Sequence, residues 1–351
     1  MRLEDLDFEL PAELVAQRPA AVRDACRLLH VSRLGHCSDH VFADLPSLLR
    51  PGDLLVRNVS RVLRARLDLR HPVRGSRCEV LLVEPGPDAS WWALARPAKR
   101  LRPGEVWELD GGLGVDVLEA ADGGRRRLRF RGAGGLDVMQ RAGRMPLPHY
   151  IRRQPDAQDV DAYQTVYARV DGSVAAPTAG LHFTPALLDA VRARGIDIAD
   201  VVLHVGPGTF EPVRSDDPRQ HVMHWERFEV ERVVAEAVRQ RRTQGGRVVA
   251  VGTTACRVLE SLALHREEPG AAAVVLEGGG DVLRGRTRLF VHAPFRFRAV
   301  DVLLTNFHLP RSTLLMLLDA FAGAERRRAA YAHAVAQRYR FFSYGDATLF
   351  E

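Results

Sequence analysis

The stretch RVVAVGTTACRVLE, Arg247 to Glu260, joins a short apolar run directly to a helix start. Val248–Val251 reads as a buried strand, Gly252-Thr253-Thr254 as a polar turn, and the residues carrying Arg257 and Glu260 as a helix. A short apolar run bounded by glycine suits a parallel sheet covered on both faces. The pattern recurs outward from this stretch. Ile198–Val205 is an apolar run that contains His204 and enters Gly206-Pro207-Gly208-Thr209-Phe210. Val300–Leu304 enters Thr305-Asn306-Phe307-His308-Leu309-Pro310. Helices are expected over Pro185–Arg194, with Gly195 as its cap, over Glu231–Arg242, and from an N-cap at Ser312 through Phe321 to a stop at Gly323. Asp53–Val56 adds a further candidate strand. Alternating strands and helices imply an α/β domain, here with a mixed sheet.

Between these ends the texture changes. Short β-like runs at Cys78–Val83, Trp91–Ala95, Gly114–Leu118 and Arg127–Phe130 are separated by Pro and Gly pairs. This predicts a small β-barrel or sandwich, inserted as residues 61–150 into an α/β domain made of 1–60 and 151–351. The charge follows the same division. Residues 61–153 hold 19 basic and 11 acidic residues, a net +8, so the other 31 basic and 33 acidic residues sum to −2.

The 351 residues suffice for two domains, and 46% hydrophobic with 27% charged residues describe a globular chain rather than a disordered one. The densest apolar run, Leu314–Leu318, meets Asp319 at once and is too short to span a membrane. Four acidic residues in Met1–Leu10 argue against a targeting peptide. The cysteines, Cys26, Cys37, Cys78 and Cys256, form no CxxC pair, which favours a reduced cytoplasmic protein without a thiolate metal site. Lys99 is the single lysine, which disfavours Schiff-base chemistry.

Sites in α/β sheets gather beyond the carboxyl ends of strands, and all three predicted strands end in unusual polar loops. Gly206 and Gly208 allow a ligand close to the backbone, and the helix start after Gly252 offers free N–H groups to a carboxylate or phosphate. Neither a Walker motif nor a GxGxxG turn after a strand is present, which argues against an ordinary NTPase or dinucleotide dehydrogenase. The small residues before His182 suit close packing or a flat ligand. His221, His224 and Glu226 suit hydrogen bonding better than metal ligation, since HxxH is not the helical zinc pattern. Tyr339–Ala347 would either stack on bases or form an aromatic core strand with an Asp turn.

Nine blocks carry a resemblance. They are DLLVRNVSRVLRARL (53–67), GRMPLPHYI (143–151), YQTVYA (163–168), GSVAAPTAGLHFT (172–184), LHVGPGTFEPV (203–213), HVMHWERFEV (221–230), RVVAVGTTACRVLE (247–260), residues 300–323, and YRFFSYGDA (339–347). In this order the chain resembles the S-adenosylmethionine:tRNA ribosyltransferase-isomerase family of queuosine biosynthesis. The resemblance implies transfer and isomerisation of the ribosyl unit of S-adenosylmethionine, a co-substrate. The acceptor would be 7-aminomethyl-7-deazaguanine at the tRNA anticodon wobble position, the product epoxyqueuosine, and adenine and methionine the leaving groups. It also implies a two-part α/β fold with an inserted barrel, no metal, tRNA as partner, no membrane, and action as a monomer. Val59, Arg64, His149, His292-Ala293-Pro294 and Thr348 depart from the family's usual residues.

On that reading Gly252, Thr253 and Thr254 hold the methionine carboxylate, while Gly206, Gly208, Thr209 and Phe210 line the adenosine. His204, His308 and Glu226 are the proton-transfer candidates. His182 and Asn306 orient the ribose. Thr178, Tyr344, Asp346 and Arg340 meet the modified base, and Arg126 and Arg152 belong to the tRNA contact. Two other classes compete: an RNA-binding protein with a decayed centre, and a metal-dependent hydrolase using His221, His224 and Glu226.

Overall fold

The computed structural model describes residues 3–206, 208, 217–277 and 279–351. In chain order, β1 (Arg27–Val31) and β2 (Cys37–Val41) form an antiparallel pair, and α1 (Leu45–Leu48) leads to β3 (Leu54–Asn58). After β4 (Ser60–Val62) come six strands: β5 (Arg66–Arg70), β6 (Arg77–Pro85), β7 (Trp91–Arg96), β8 (Val106–Leu109), β9 (Gly114–Ala120) and β10 (Arg125–Phe130). Two helices follow, α2 (Gly135–Ala142) and α3 (Ala157–Ala162), then β11 (Val170–Ser173), which pairs with β4. The rest alternates: α4 (Pro185–Ala193), β12 (Asp197–Leu203), β13 (Glu226–Glu231), α5 (Arg232–Thr243), β14 (Val248–Val251) and α6 (Gly252–Glu267). It closes with β15 (Val274–Glu277), β16 (Val282–Thr287), β17 (Val302–Asn306), α7 (Thr313–Ala322), α8 (Ala324–Ala336) and β18 (Ala347–Phe350).

Ten strands build one mixed sheet in the order β15-β16-β13-β12-β3-β14-β17-β18-β1-β2. Its centre, β12-β3-β14-β17, is parallel, so four carboxyl ends lie along one edge. Period-2 alternation sends Val248 and Ala250 into one apolar cluster with Ala255, Val258 and Leu259 of α6. Val249 and Val251 enter a second cluster with Leu187, Leu188 and Val191 of α4. Both faces of β14 are therefore covered, and this is why its sequence is continuously apolar.

Strands β5–β10 close into an antiparallel barrel, ordered β10-β7-β6-β5-β8-β9, around Leu67, Val80, Trp107, Val117 and Leu128. Closure leaves no unpaired edge among these strands. The chain enters and leaves the barrel side by side, because Arg66 and Arg144 exchange backbone hydrogen bonds of 3.2 and 2.8 Å. The structure thus decides for a barrel over a sandwich.

Other expectations shift. The third strand runs Val302–Asn306 rather than from Val300, so Asn306 lies within it. The helix expected from Glu231 starts at Arg232. Ser312 precedes α7 as expected, but its hydroxyl donates to the Leu309 carbonyl at 2.8 Å instead of capping the helix. No helix among the described residues is long and apolar enough to cross a membrane.

Candidate active site

A cleft opens beyond the parallel strands in two joined lobes, which share Thr253, Thr254 and Leu314. The first lies between the ends of β14 and β17, with Ala175–Ala179 along one wall and Thr178, Asn306, His308 and Ser343 as polar members. The second, between α6 and β13, holds Gly206, Gly208, His224, Glu226 and Arg257. Each encloses about 630 Å³ when the open space at its mouth is included.

Thr253 and Thr254 stand at the junction because α6 begins at Gly252, whose φ of +85° suits glycine at the turn from β14. The residue ahead of the helix is Val251, which has no side chain able to cap it. The first-turn N–H groups thus face the cleft without a cap. Thr254 adds a buried hydroxyl with no hydrogen-bond partner.

Glu226 and Arg257 are both buried and form an ion pair across the second lobe. Glu226 Oε1 also accepts from the Gly206 N–H at 3.0 Å, and Arg257 Nε donates to the Leu289 carbonyl at 3.1 Å. Arg257 Nη2 is buried and unpartnered. Gly208 belongs here for a steric reason: a Cβ on it would sit 2.5 Å from the His224 ring.

On the first lobe, Asn306 Nδ2 donates to the Phe342 carbonyl at 3.0 Å and faces His182 Nε2 at 3.1 Å. That carbonyl fixes the amide orientation and leaves Asn306 Oδ1 buried without a partner. With Nε2 accepting, neutral His182 carries its proton on Nδ1, 3.0 Å from Cys26 Sγ. Burial pushes His182 down to about 4. Burial likewise holds His308 down at about 3, so it is neutral at physiological pH. Its Nε2 meets Thr305 Oγ1 at 3.0 Å and its backbone N–H donates to the Tyr331 hydroxyl at 2.9 Å.

The sequence candidates therefore separate. Thr178, Gly252, Thr253, Thr254, Asn306 and His308 line the first lobe, and Gly206, Gly208 and Glu226 the second, with Thr253 and Thr254 common to both. His182 stands behind Asn306 and lines neither lobe. His204 is outside as well: its ring packs against Gly172, on the sheet face opposite the cleft-lining Val205. Burial lowers its pKa, and Arg227 on the neighbouring strand lowers it further. Thr209 and Phe210 lie outside the described residues.

The modified-base candidates are mostly engaged internally. The Asp346 oxygens accept from the Arg27 and Arg340 N–H groups at 3.0 and 2.7 Å. Tyr344 is buried and its hydroxyl donates to Asp159 at 2.7 Å. Arg340 binds the carbonyls of Arg18 and Tyr344. Phe342 and Ser343 of the same turn line the first lobe in their place. On the barrel, Arg126 is held by the carbonyls of Leu101, Arg125 and Ala98, each at 2.7 Å. Arg152 is exposed. Glu84, Glu119 and Asp116 pair with Arg125, Arg127, Arg129 and Arg131, whereas Arg70, Arg77, Arg96 and Arg102 are exposed without an acidic partner among the described residues.

Sequence reasoning placed Arg257 on the helix but not in the site. The available signal was a single cation among Ala255, Cys256, Val258 and Leu259, one turn after a glycine helix start. Val59 is fully buried and lines neither lobe, so its departure from the family pattern does not alter the cleft wall. Among the described residues no group of three or more His, Cys, Asp or Glu is arranged to hold a metal ion.

A mixed α/β sheet with an attached closed barrel, and a cleft with unpartnered donors and an unpartnered acceptor at the strand ends, describes an enzyme built to hold a polar small molecule. The family model described as "Queuosine biosynthesis protein" matches residues 3–350. The chain belongs to that family. It is 48% identical to the S-adenosylmethionine:tRNA ribosyltransferase-isomerase of Parvibaculum lavamentivorans, over 99% of each chain. It is 50% identical to the protein of the same name from Rhodospirillum rubrum, over 99% of this chain and 98% of the relative. The crystal structure of S-adenosylmethionine tRNA ribosyltransferase from Thermotoga maritima superposes with a TM-score of 0.55 at 35% identity, covering 99% of this chain and all of that one.

Proposed function

We propose that this chain transfers and isomerises the ribosyl unit of S-adenosylmethionine onto 7-aminomethyl-7-deazaguanine at the tRNA wobble position. The product is epoxyqueuosine, with adenine and methionine released. The observation that carries the reading is the cleft itself. An uncapped helix N-terminus stands in it beside unpartnered Thr254, Asn306 and Arg257 atoms, in a chain about half identical to enzymes of that name.

The chemistry sets the roles. The sulfonium acidifies the C5′ hydrogens, so a base removes one of them; adenine then departs, and the neutral aminomethyl nitrogen attacks the ribosyl carbon. The oxyanion that closes the epoxide and displaces methionine needs donors. The α6 N-terminus at Gly252–Thr254 holds the methionine carboxylate. Gly206 and Gly208 border the nucleoside. His308, neutral and in the cleft, handles protons, with Glu226 as the second candidate. Asn306, its amide oriented by Phe342, meets the ribose, and His182 positions Asn306 from behind. Thr178 and the 342–343 turn meet the modified base.

The anticodon arm lies along the barrel, residues 61–150 acting as an inserted tRNA-binding unit on the catalytic unit of 1–60 and 151–351. Its unpaired exposed arginines, and Arg152 beside it, suit phosphates. The enzyme works as a monomer in the cytoplasm. Mass spectrometry of nucleosides from precursor-bearing tRNA, after incubation with ribose-labelled S-adenosylmethionine, tests the reading. Epoxyqueuosine carrying the label is expected, and unchanged precursor overturns it.

A further inference from the structure

We propose that the second lobe recognises the free α-amino-acid end of S-adenosylmethionine, Arg257 binding its carboxylate and Glu226 its ammonium. This rests on the activity proposed above and assigns the part of the co-substrate that the lobe reads. It also makes Glu226 a binding residue rather than a proton carrier.

Three observations converge on an anion at Arg257. Arg257 is only 7% exposed, yet its Nη2 edge has no partner, while Nε and Nη1 are taken by Leu289 and Glu226. An unpaired buried donor destabilises a fold, so its retention points to a ligand that completes it. Thr254 lies three residues before Arg257 and so shares its helix face, and its buried hydroxyl is also unpartnered. The α6 N-terminus, just ahead of both, carries no side-chain cap and adds backbone donors and the positive end of the helix dipole. A carboxylate has acceptor sites for all three.

Glu226 makes this a site for a zwitterion rather than for an anion alone. Each of its oxygens accepts one bond, from the Gly206 N–H and from Arg257. A carboxylate has about four lone-pair sites, so two remain for an ammonium. The ion pair is neutral as a whole, and so is the α-amino-acid group. Their union leaves no net charge in the lobe, which matters because an uncompensated buried charge is costly. Phe290, Leu314 and Leu317 wall the same lobe and suit the methylene chain between the amino acid and the sulfonium.

The test is calorimetric binding of S-adenosylmethionine and of decarboxylated S-adenosylmethionine, which keeps the amine and lacks the carboxylate. The wild-type protein is expected to bind S-adenosylmethionine ~10–100-fold more tightly, the worth of a hydrogen bond to a charged group. Arg257→Gln should weaken S-adenosylmethionine by a similar factor and shift the decarboxylated compound less than about threefold, abolishing the preference. Arg257→Lys should restore part of it. A purely structural role would weaken both ligands alike and leave the ratio intact, which overturns the proposal. Equal affinities in the wild-type protein also overturn it, whether or not any variant folds. Equal affinities with ribosyl transfer intact sink this assignment alone; loss of transfer sinks the activity.

Discussion

The start of α6 and the turn between Tyr339 and Asp346 are both polar segments at the ends of core elements, and both read as binding sites in sequence. Their hydrogen-bonding states differ. At α6, the helix N-terminus is uncapped, and Thr254 Oγ1 and Arg257 Nη2 have no partners. In the turn, both Asp346 oxygens, the Tyr344 hydroxyl and the Arg340 guanidinium are engaged within the protein. A ligand site keeps polar capacity open at some expense of stability, whereas a structural turn closes it. Asn306 joins the two regions: its amide nitrogen binds the turn at Phe342 and its oxygen remains open.

The largest effect expected from this contrast is on the closed side. Asp346→Ala leaves the part-buried backbone N–H groups of Arg27 and Arg340 without their acceptor. It should lower unfolding stability by about 2–4 kcal/mol in denaturant titration, while the folded fraction keeps its affinity for S-adenosylmethionine within about threefold. A variant of normal stability that no longer binds the modified tRNA would return Asp346 to the site.

Next comes acid. His182 and His308 are pushed down by burial to about 4 and about 3, below the ordinary histidine value of 6.5. Between 6.5 and those values the unfolded chain binds more protons than the folded one, so stability falls as pH drops through that window and is fully present above it. At pH 5 each histidine should remove ~2 kcal/mol. Thermal unfolding from pH 7 to 4 measures this, and His182→Gln should make the loss at pH 5 smaller by about 2 kcal/mol. An unchanged slope would show that His182 is not buried as a neutral ring.

The smallest effect tests the open side. Thr254→Val keeps the shape and removes the unpartnered hydroxyl. Stability should stay level or rise by up to about 1 kcal/mol, while affinity for S-adenosylmethionine falls ~3–10-fold. A stability loss above about 1 kcal/mol would mean that the hydroxyl already has a structural role.

Much of the architecture was legible because it is local. The three strand-to-loop units, the inserted β-rich segment and its charge were readable from apolar runs, glycines and prolines within short windows. The outer strands were not. β1 pairs with β18, more than 300 residues away in sequence, and β13 and β16 carry alternating charge that resembles loop. Among the candidates that line the cleft, Thr254, Asn306 and His308 were legible because they lie at or just after strand ends, and Thr178 because it sits in a dense run of small residues before a helix. His204 follows a strand end too, but a one-residue difference in a period-2 chain turned it to the other face. Tyr344 and Asp346 looked like base readers because residue type shows what a side chain can bond, not which partners have already been provided.

The sequence alone determined the sheet's central strands, the helix start at Gly252, the separate β-rich insert and the family, since each depends on neighbouring residues or on the order of motifs. The tertiary structure decided which polar groups remain open, because that depends on partners brought from distant parts of the chain. Arg27 closes Asp346 across 319 positions, and Leu289 and Glu226 take two edges of Arg257 and leave the third without a partner.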